Sequence, residues 1–236
     1  MKIRFWSDFA CPYCYIGEKR LRDAIDSLNV ADQIELEPMA FELDPGASRT
    51  VQSDTVTRFG KKYRLPPDEA RAQVEHISKL GHACGLDFKY ADSRYTNTFD
   101  AHRLMKLAEA TDRKILAKLN FALFDAYFAK SQELADHAVL MRIGKEAGLD
   151  EAAIRSVLES DKYGAEVRAD EAAAARAGVR GVPFFIFEDG VTIPGAASQA
   201  DLEEIIRRNL KGAKISGQGV GETCGAHGCQ IRRQPS

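Results

Sequence analysis

Residues 2–7 (KIRFWS) are rich in aromatic and β-branched side chains and read as a short strand. Pro12 follows shortly after, a residue tolerated in the first turn of a helix. Ile16, Leu21, Ala24, Ile25 and Leu28 then recur at near-helical spacing to about Asn29. Residues 33–39 (QIELEPM) alternate Ile34 and Leu36 with Glu35 and Glu37, which is the period of a second strand. The chain therefore opens as β–α–β, and the expected product is two parallel strands joined by a crossover helix.

From residue 45 to residue 160 the strand signal fades and helical patterns dominate. Pro66 and Pro67 precede a predicted helix through Leu80, and Asn97 and Thr98 are candidate N-caps for one through about Ala110. Residues 115–129 (ILAKLNFALFDAYFA) are the most apolar stretch and predict a core helix. Further helices are predicted over 137–147 and 150–159, closing at Gly148 and near Ser160. An alanine-rich helix ends at Gly178, and strands return over 182–187 (VPFFIF) and 191–193. The Asp189-Gly190 turn between them predicts a hairpin. Residues 199–210 then form an amphipathic helix with Leu202, Ile205, Ile206 and Leu210 on one face. The last 26 residues carry six of the eighteen glycines and few large aliphatics, so a flexible tail is expected. The predicted organisation is an α/β domain from 1–44 and 161–210, an all-helical insertion over 45–160, and a tail over 211–236.

Composition narrows the function classes. A chain of 236 residues, 44% hydrophobic and 29% charged, matches an ordinary globular protein large enough to bury its own core. A formal net charge of −2 gives no excess that would draw it to nucleic acid or to an anionic membrane surface. No apolar run is long enough to span a bilayer, so no membrane partner is expected. The opening MKIRFWSDFACPYC lacks the apolar stretch and small-residue cleavage site of a signal peptide, and the expected location is the cytoplasm.

Five cysteines are too few and too unevenly spaced for a disulfide-built scaffold. Cys11 and Cys14 form C-x2-C at the predicted strand-to-helix turn. A thiol must become a thiolate to act as a nucleophile, and a helix N-terminus favours that anion through its free N–H groups and dipole. Its place at the helix start predicts Cys11 as the exposed, attacking thiol. Cys14, one turn on, is placed to attack a mixed disulfide on Cys11 and release the partner. Half of a zinc site shares this spacing, but the β–α–β frame favours redox chemistry. Further along, Gly181-Val182-Pro183 opens the late strand. An ordinary trans proline is tolerated at that position, while a cis bond would present the Val182 backbone beside Cys11.

A strand, C-P-Y-C at a helix start, a helical insertion, then G-V-P-F-F before a hairpin and terminal helix: this combination resembles the DsbA-like branch of the thioredoxin superfamily. Residues 41–45 (FELDP) and 97–104 (NTFDAHRL) resemble its subgroup of FrnE-type oxidoreductases and 2-hydroxychromene-2-carboxylate isomerases. The resemblance covers residues 1 to about 210 and implies a thioredoxin fold with a helical insertion. It also implies Cys11 as attacking thiol, Cys14 as resolving thiol, and Pro183 as a cis-proline preceded by Val182. Pro12, Tyr13 and Val182 are then expected to contact substrate, and Asn97 and His102 to fall near the active-site face. The isomerase members use glutathione and carry serine at the attacking position, where this chain has Cys11, so dithiol chemistry is favoured. Pro12-Tyr13 is the pair seen in glutaredoxins, in place of the Pro-His of DsbA. The expected potential is therefore nearer the glutaredoxin range of about −200 to −230 mV than the DsbA value of about −120 mV.

The segment Cys224-Gly-Ala-His227-Gly-Cys229 lies outside that resemblance. Two glycines and a four-residue spacer allow the sulfurs to meet as a small-loop disulfide, and His227 between them is placed to lower a thiol pKa. The linker from Leu210 reaches at most about 46 Å at roughly 3.3 Å per residue, enough to carry this pair to the first as an accessory dithiol. A zinc site with a fourth ligand elsewhere, or no role at all, are the competing readings. Cys84, near a predicted helix end, is read as a small buried hydrophobe.

The expected activity is that of a thiol–disulfide oxidoreductase or isomerase acting on protein disulfides. Its expected partners are disulfide- or thiol-containing proteins and a recycling reductant, with no metal and no bound cofactor beyond the option of glutathione. A glutathione-dependent isomerase or transferase using the same cleft is the rival enzyme class. A zinc-binding or interaction module is the non-enzymatic rival.

Overall fold

A computed structural model describes residues 1–212, together with the backbone of Thr223–Gly225 and Gly228–Gln230. Strand β1 (Lys2–Ser7) turns into helix α1 (Pro12–Ser27), and β2 (Glu35–Ala40) returns beside β1. The two strands pair in parallel from Lys2 opposite Glu35 to Ser7 opposite Ala40, which is the predicted crossover unit. Pro38 sits within β2, where it is tolerated because β2 is an edge strand with β1 as its one neighbour in the sheet.

Strand β3 (Phe184–Phe187) pairs antiparallel with the other side of β1, and β4 (Thr192–Pro194) closes the hairpin, so the sheet order is β2-β1-β3-β4. Gly190 takes φ 87° in the connecting turn, a backbone region that favours glycine. The helix predicted last spans Gln199–Leu210, with the Ser198 hydroxyl accepting from the Asp201 N–H at its start. One sheet face, carrying Ile3, Phe5, Phe185, Phe187 and Ile193, packs with Leu21, Ala24 and Ile25 of α1 and Leu202 and Ile206 of the last helix. Each of the larger of these side chains stabilises the fold by about 1.5–3 kcal/mol through burial.

Between these halves run α2 (Thr55–Tyr63), α3 (Pro67–Ala83), α4 (Phe99–Thr111), α5 (Arg113–Phe128), α6 (His137–Ala147), α7 (Glu151–Leu158) and α8 (Gly164–Arg176), and the terminal helix is α9. Single turns of 3-10 helix lie at Ala31–Gln33 and Tyr90–Asp92. The chain divides into two compact units, Met1–Leu43 with Ala173–Ser236, and Asp44–Ala172. The division falls inside α8, beyond the sequence boundary at 160/161. The early part of α8 belongs with the helices because Asp170 pairs with Lys106 at 2.6 Å and Arg168 lies over the Phe99 ring at 4.3 Å.

Helix starts in the second unit follow local chemistry. Asp54, Asp112, Asp136 and Asp150 each accept a backbone N–H of the first turn that follows them. For α4 the Asn97 side-chain Oδ1 accepts from the Phe99 N–H at 2.9 Å, while the Thr98 side chain makes no cap bond. Helix α2 escapes the sequence reading because it is short and buries chiefly Thr55 and Phe59. Cys84 departs from expectation: it is half-buried, since it caps the end of α3, where the chain turns outward through Gly85 at φ 76°.

Among the described residues, no helix is long and apolar enough to cross a membrane. Near the C-terminus, β5 (Thr223–Gly225) and β6 (Gly228–Gln230) form an antiparallel ribbon with Cys224 directly opposite Cys229. Cα atoms of β5 come within 8 Å of those of α1. His227 and most of the segment predicted to be flexible lie outside the described residues.

Candidate active site

The turn from β1 into α1 is built by Asp8. Its backbone carbonyl accepts from the Cys11 N–H at 3.0 Å, and its carboxylate accepts from the Ala10 and Leu43 N–H groups at 3.2 and 2.7 Å. This places Cys11 as the N-cap of α1 in extended conformation, with Pro12 at the first helical position. Cys14 stands one turn in, and its N–H donates to the Cys11 carbonyl at 3.1 Å. Both cysteines are free thiols.

The Val182–Pro183 peptide bond is cis. The Cys11 thiol donates to the Val182 carbonyl at 3.6 Å across 171 residues of sequence, so the segment opening the late strand lies over the start of α1. That segment is held from both sides. The Gly195 N–H donates to the Pro183 carbonyl at 2.7 Å, and Arg20 of α1 donates to the Ala196 carbonyl at 2.9 Å. Gly17 makes the approach possible: a Cβ there would lie 3.0 Å from Pro183 Cγ and 3.4 Å from the Ala196 Cα.

The expectation that Cys11 is exposed is corrected: Cys11 and Cys14 both have 0% relative exposure. Pro12, Tyr13, Val182 and Pro183 are buried too, because the cis-proline segment packs directly on the first turns of the helix. What distinguishes the two thiols is the setting of Cys14. Burial pushes its pKa well above the ordinary thiol value, and the neighbouring Cys11 thiol adds to the rise; the Asp8 N–H and the Ser7 hydroxyl oppose it. The Asp8 N–H donates to Cys14 Sγ at 3.5 Å.

Four residues that the sequence reading passed over belong to this site: Ser7, Asp8, Gly17 and Glu18. The Ser7 hydroxyl donates to Glu18 Oε1 at 2.6 Å beneath the cysteine pair. A signal for two of them is present in the sequence. Gly17 is an interior helix glycine, worth about 1 kcal/mol of lost helix propensity, and Glu18 is a carboxylate four residues after Cys14 on an otherwise apolar face.

Asn97 and His102 stand in the other unit, before and within α4, with His102 buried. Cys224 and Cys229 occupy the terminal ribbon. Among the described residues no three His, Cys, Asp or Glu side chains gather as a metal site.

Residues 2–207 match the family model of a DSBA-like thioredoxin domain. The chain is 30% identical over 211 residues to the uncharacterized protein YwbO of Bacillus subtilis (strain 168), covering 89% of this chain and 97% of that one. Among solved structures, a probable DsbA oxidoreductase from Streptomyces coelicolor is 31% identical with a TM-score of 0.84, covering 99% of this chain and 100% of that one. A 2-hydroxychromene-2-carboxylate isomerase shares the fold at 15% identity and a TM-score of 0.68, over 90% of this chain and 97% of that one.

Proposed function

Because the chain belongs to the DSBA-like thioredoxin domain family, we propose that it is a thiol–disulfide oxidoreductase acting on protein disulfides through Cys11 and Cys14. The observation that carries this reading is the Cys11 thiol at the N-cap of α1 against the Val182 carbonyl, with Cys14 one turn behind it. The Cys11 thiolate attacks one sulfur of a substrate disulfide, and the other substrate sulfur leaves as a thiolate. Cys14 then attacks Cys11 of the mixed disulfide and releases the second substrate thiol. The substrate gains two electrons, and the enzyme is left with a Cys11–Cys14 disulfide. Run in reverse, the same steps oxidise a substrate dithiol. Since Cys11 is buried, engagement by a protein substrate requires the groups around it to move aside.

The reading extends to a reducing, cytoplasmic setting and to a recycling reductant that returns the pair to the dithiol, with glutathione as an optional cofactor. Its expected potential is nearer the range of about −200 to −230 mV than about −120 mV, on the strength of Tyr13 between the cysteines. Cys224 and Cys229 are read as an accessory dithiol coupled to the first pair. The glutathione-dependent isomerase alternative has Cys11 against it, at the position where those enzymes carry serine. The deciding experiment is insulin reduction driven by dithiothreitol. Cys11→Ser is expected to abolish it, and Cys14→Ser to accumulate mixed disulfides with substrate. Full activity in Cys11→Ser would overturn the reading.

A further inference from the structure

The ladder between β1 and β3 stops at Phe184 opposite Trp6, and that between β3 and β4 stops at Phe184 opposite Pro194. Val182 and Pro183 on one side, and residues 195–197 on the other, therefore run beyond the sheet and need other anchors. Pro183 has no N–H to give. Its carbonyl accepts from the Gly195 N–H at 2.7 Å, so the Val182–Pro183 segment and the turn after β4 are joined to each other. The turn is closed on itself by the Ala197 N–H, which donates to the Gly195 carbonyl at 3.1 Å. It is fastened to α1 by Arg20, whose Nη1 donates to the Ala196 carbonyl at 2.9 Å and to the Ala197 carbonyl at 3.4 Å. Cys11 stands at the start of that same helix, with its thiol on the Val182 carbonyl at 3.6 Å.

We propose that Arg20 is the latch that holds the Val182–Pro183 segment over Cys11, and that its release uncovers the Cys11 sulfur for a protein disulfide. The bearing on catalysis rests on the reading of Cys11 as the attacking thiol. Cys11 and Val182 are fully buried, so a substrate sulfur reaches Cys11 only when its cover shifts. Because Pro183 is bonded to Gly195, the segment and the turn move together. Because the turn is bonded to Arg20, moving them off α1 breaks the Arg20 contacts. A hydrogen bond from a charged donor is stronger than a neutral one, while a thiol is a weak donor. The guanidinium is thus the stronger of these two links between α1 and the segment. Arg20 is itself half-buried, so water can take over its N–H groups as the contacts part.

The neighbouring cations of α1 are otherwise engaged. Lys19 pairs with Asp23 at 2.5 Å, and the Arg22 guanidinium is stabilised by the Glu18 and Asp26 charges against its own burial. Gly17 lets the proline ring approach but offers it no side chain to hold. Nor does the turn need Arg20 to keep its shape, since the Ala197 N–H already closes it and Ser198 starts α9 directly after. What Arg20 adds is attachment to the helix that carries Cys11.

The test is alkylation of the reduced full-length protein by iodoacetamide at neutral pH, with the rate at each cysteine read by peptide mass spectrometry. Arg20→Met keeps a long unbranched side chain and removes the donors. Cys11 is expected to react about tenfold faster in this variant, as loss of a charged-donor hydrogen bond raises the open population. Arg20→Lys supplies a shorter, single-point donor. Its Cys11 rate should fall between those of the native protein and Arg20→Met, and it reads the latch should Arg20→Met not fold. Cys14, behind Cys11, should stay slow, and Cys84 in the other unit should keep its rate. A native Cys11 rate in the folded variants overturns the latch, because the segment is then held elsewhere. Acceleration of Cys14 in step with Cys11 overturns it too, because α1 has then loosened as a whole. Insulin reduction is read alongside: a native protein that fails to reduce insulin refutes the proposed function, while the Cys11 rates still decide the latch.

Discussion

Gly17 and Pro183 meet across the active site, and the missing side chain of the one is what admits the ring of the other. A Cβ on Gly17 would stand 3.0 Å from Pro183 Cγ, tighter than ordinary van der Waals contact, and 3.4 Å from the backbone of Ala196 behind it. The proline ring therefore packs against α1 at Gly17, and the carbonyl of the preceding Val182 accepts from the Cys11 thiol.

Gly17→Ala sets two effects against each other. The helix gains up to about 1 kcal/mol in propensity, while the cis-proline segment must retreat by a few tenths of an ångström. Stability is expected to stay within about 1 kcal/mol of the native protein, and insulin-reduction turnover to fall by several-fold, since small misplacements at a reacting centre weigh heavily on rate. Urea unfolding and the turbidity assay read the two effects separately. Unchanged turnover would mean that the close approach has no part in the reaction.

The two cysteines should separate by pH. Burial holds the Cys14 thiol protonated well beyond the ordinary range, so alkylation of the reduced protein at neutral pH is expected on Cys11 first, as mass spectrometry would show. Equal alkylation rates would refute the assignment of Cys11 as attacker. The same shift carries a stability consequence. A folded pKa above the unfolded one means that the native state holds its proton longer. The contribution is thus complete below about pH 8.5 and is lost as pH rises toward the folded value. The reduced protein should weaken at alkaline pH, and the Cys11–Cys14 disulfide form should lack that loss.

In the helical unit, Asp100 is the group whose removal should cost most. Burial pushes its pKa up, and hydrogen bonds from His137, Arg103 and Arg49 outweigh that and hold it below the usual carboxylate range. Arg103, buried with it at 2.8 Å, also donates to the Val157 and Ser160 carbonyls around the end of α7. Asp100→Asn leaves that guanidinium uncompensated and is expected to destabilise by about 3–5 kcal/mol in urea unfolding. A lowered folded pKa gives stability that is present above the unfolded value near pH 4 and lost as pH falls through the folded one. The gap between the two proteins should therefore narrow below about pH 4. A gap independent of pH would assign the loss to packing alone.

The terminal ribbon sets Cys224 opposite Cys229, the pairing an accessory dithiol requires. Ending the chain after Leu210 is expected to preserve folding, because the sheet and both helices of the core lie before that point, and to change turnover or reduction potential. Identical kinetics and potential would leave the pair without a redox role. Stoichiometric zinc, present in the full chain and lost on truncation, would reassign it to metal binding.

Much of the fold was legible because its causes are local. Pro12 at a helix start, the Asp189-Gly190 turn and the Asp or Ser residues before α5, α6, α7 and α9 act on their own neighbours, so helix bounds such as His137–Ala147 and Gln199–Leu210 could be read directly. The cysteine pair was legible for the same reason, since its spacing and its helix turn lie in adjacent residues. Burial of Cys11 was not, because it depends on a segment 171 residues away folding over it. Ser7 looks in sequence like any strand residue, and the apolar face around Glu18 hints at burial without naming a partner. Only the packing of α1 on β1 brings their oxygens to 2.6 Å and closes water out. Arg103 reads as one more helix charge until tertiary structure turns it onto the carbonyls around the end of α7. Periodicity tells which face of an element is apolar, but the partner of a buried polar group is set by what the fold brings opposite it, and that is decided in three dimensions.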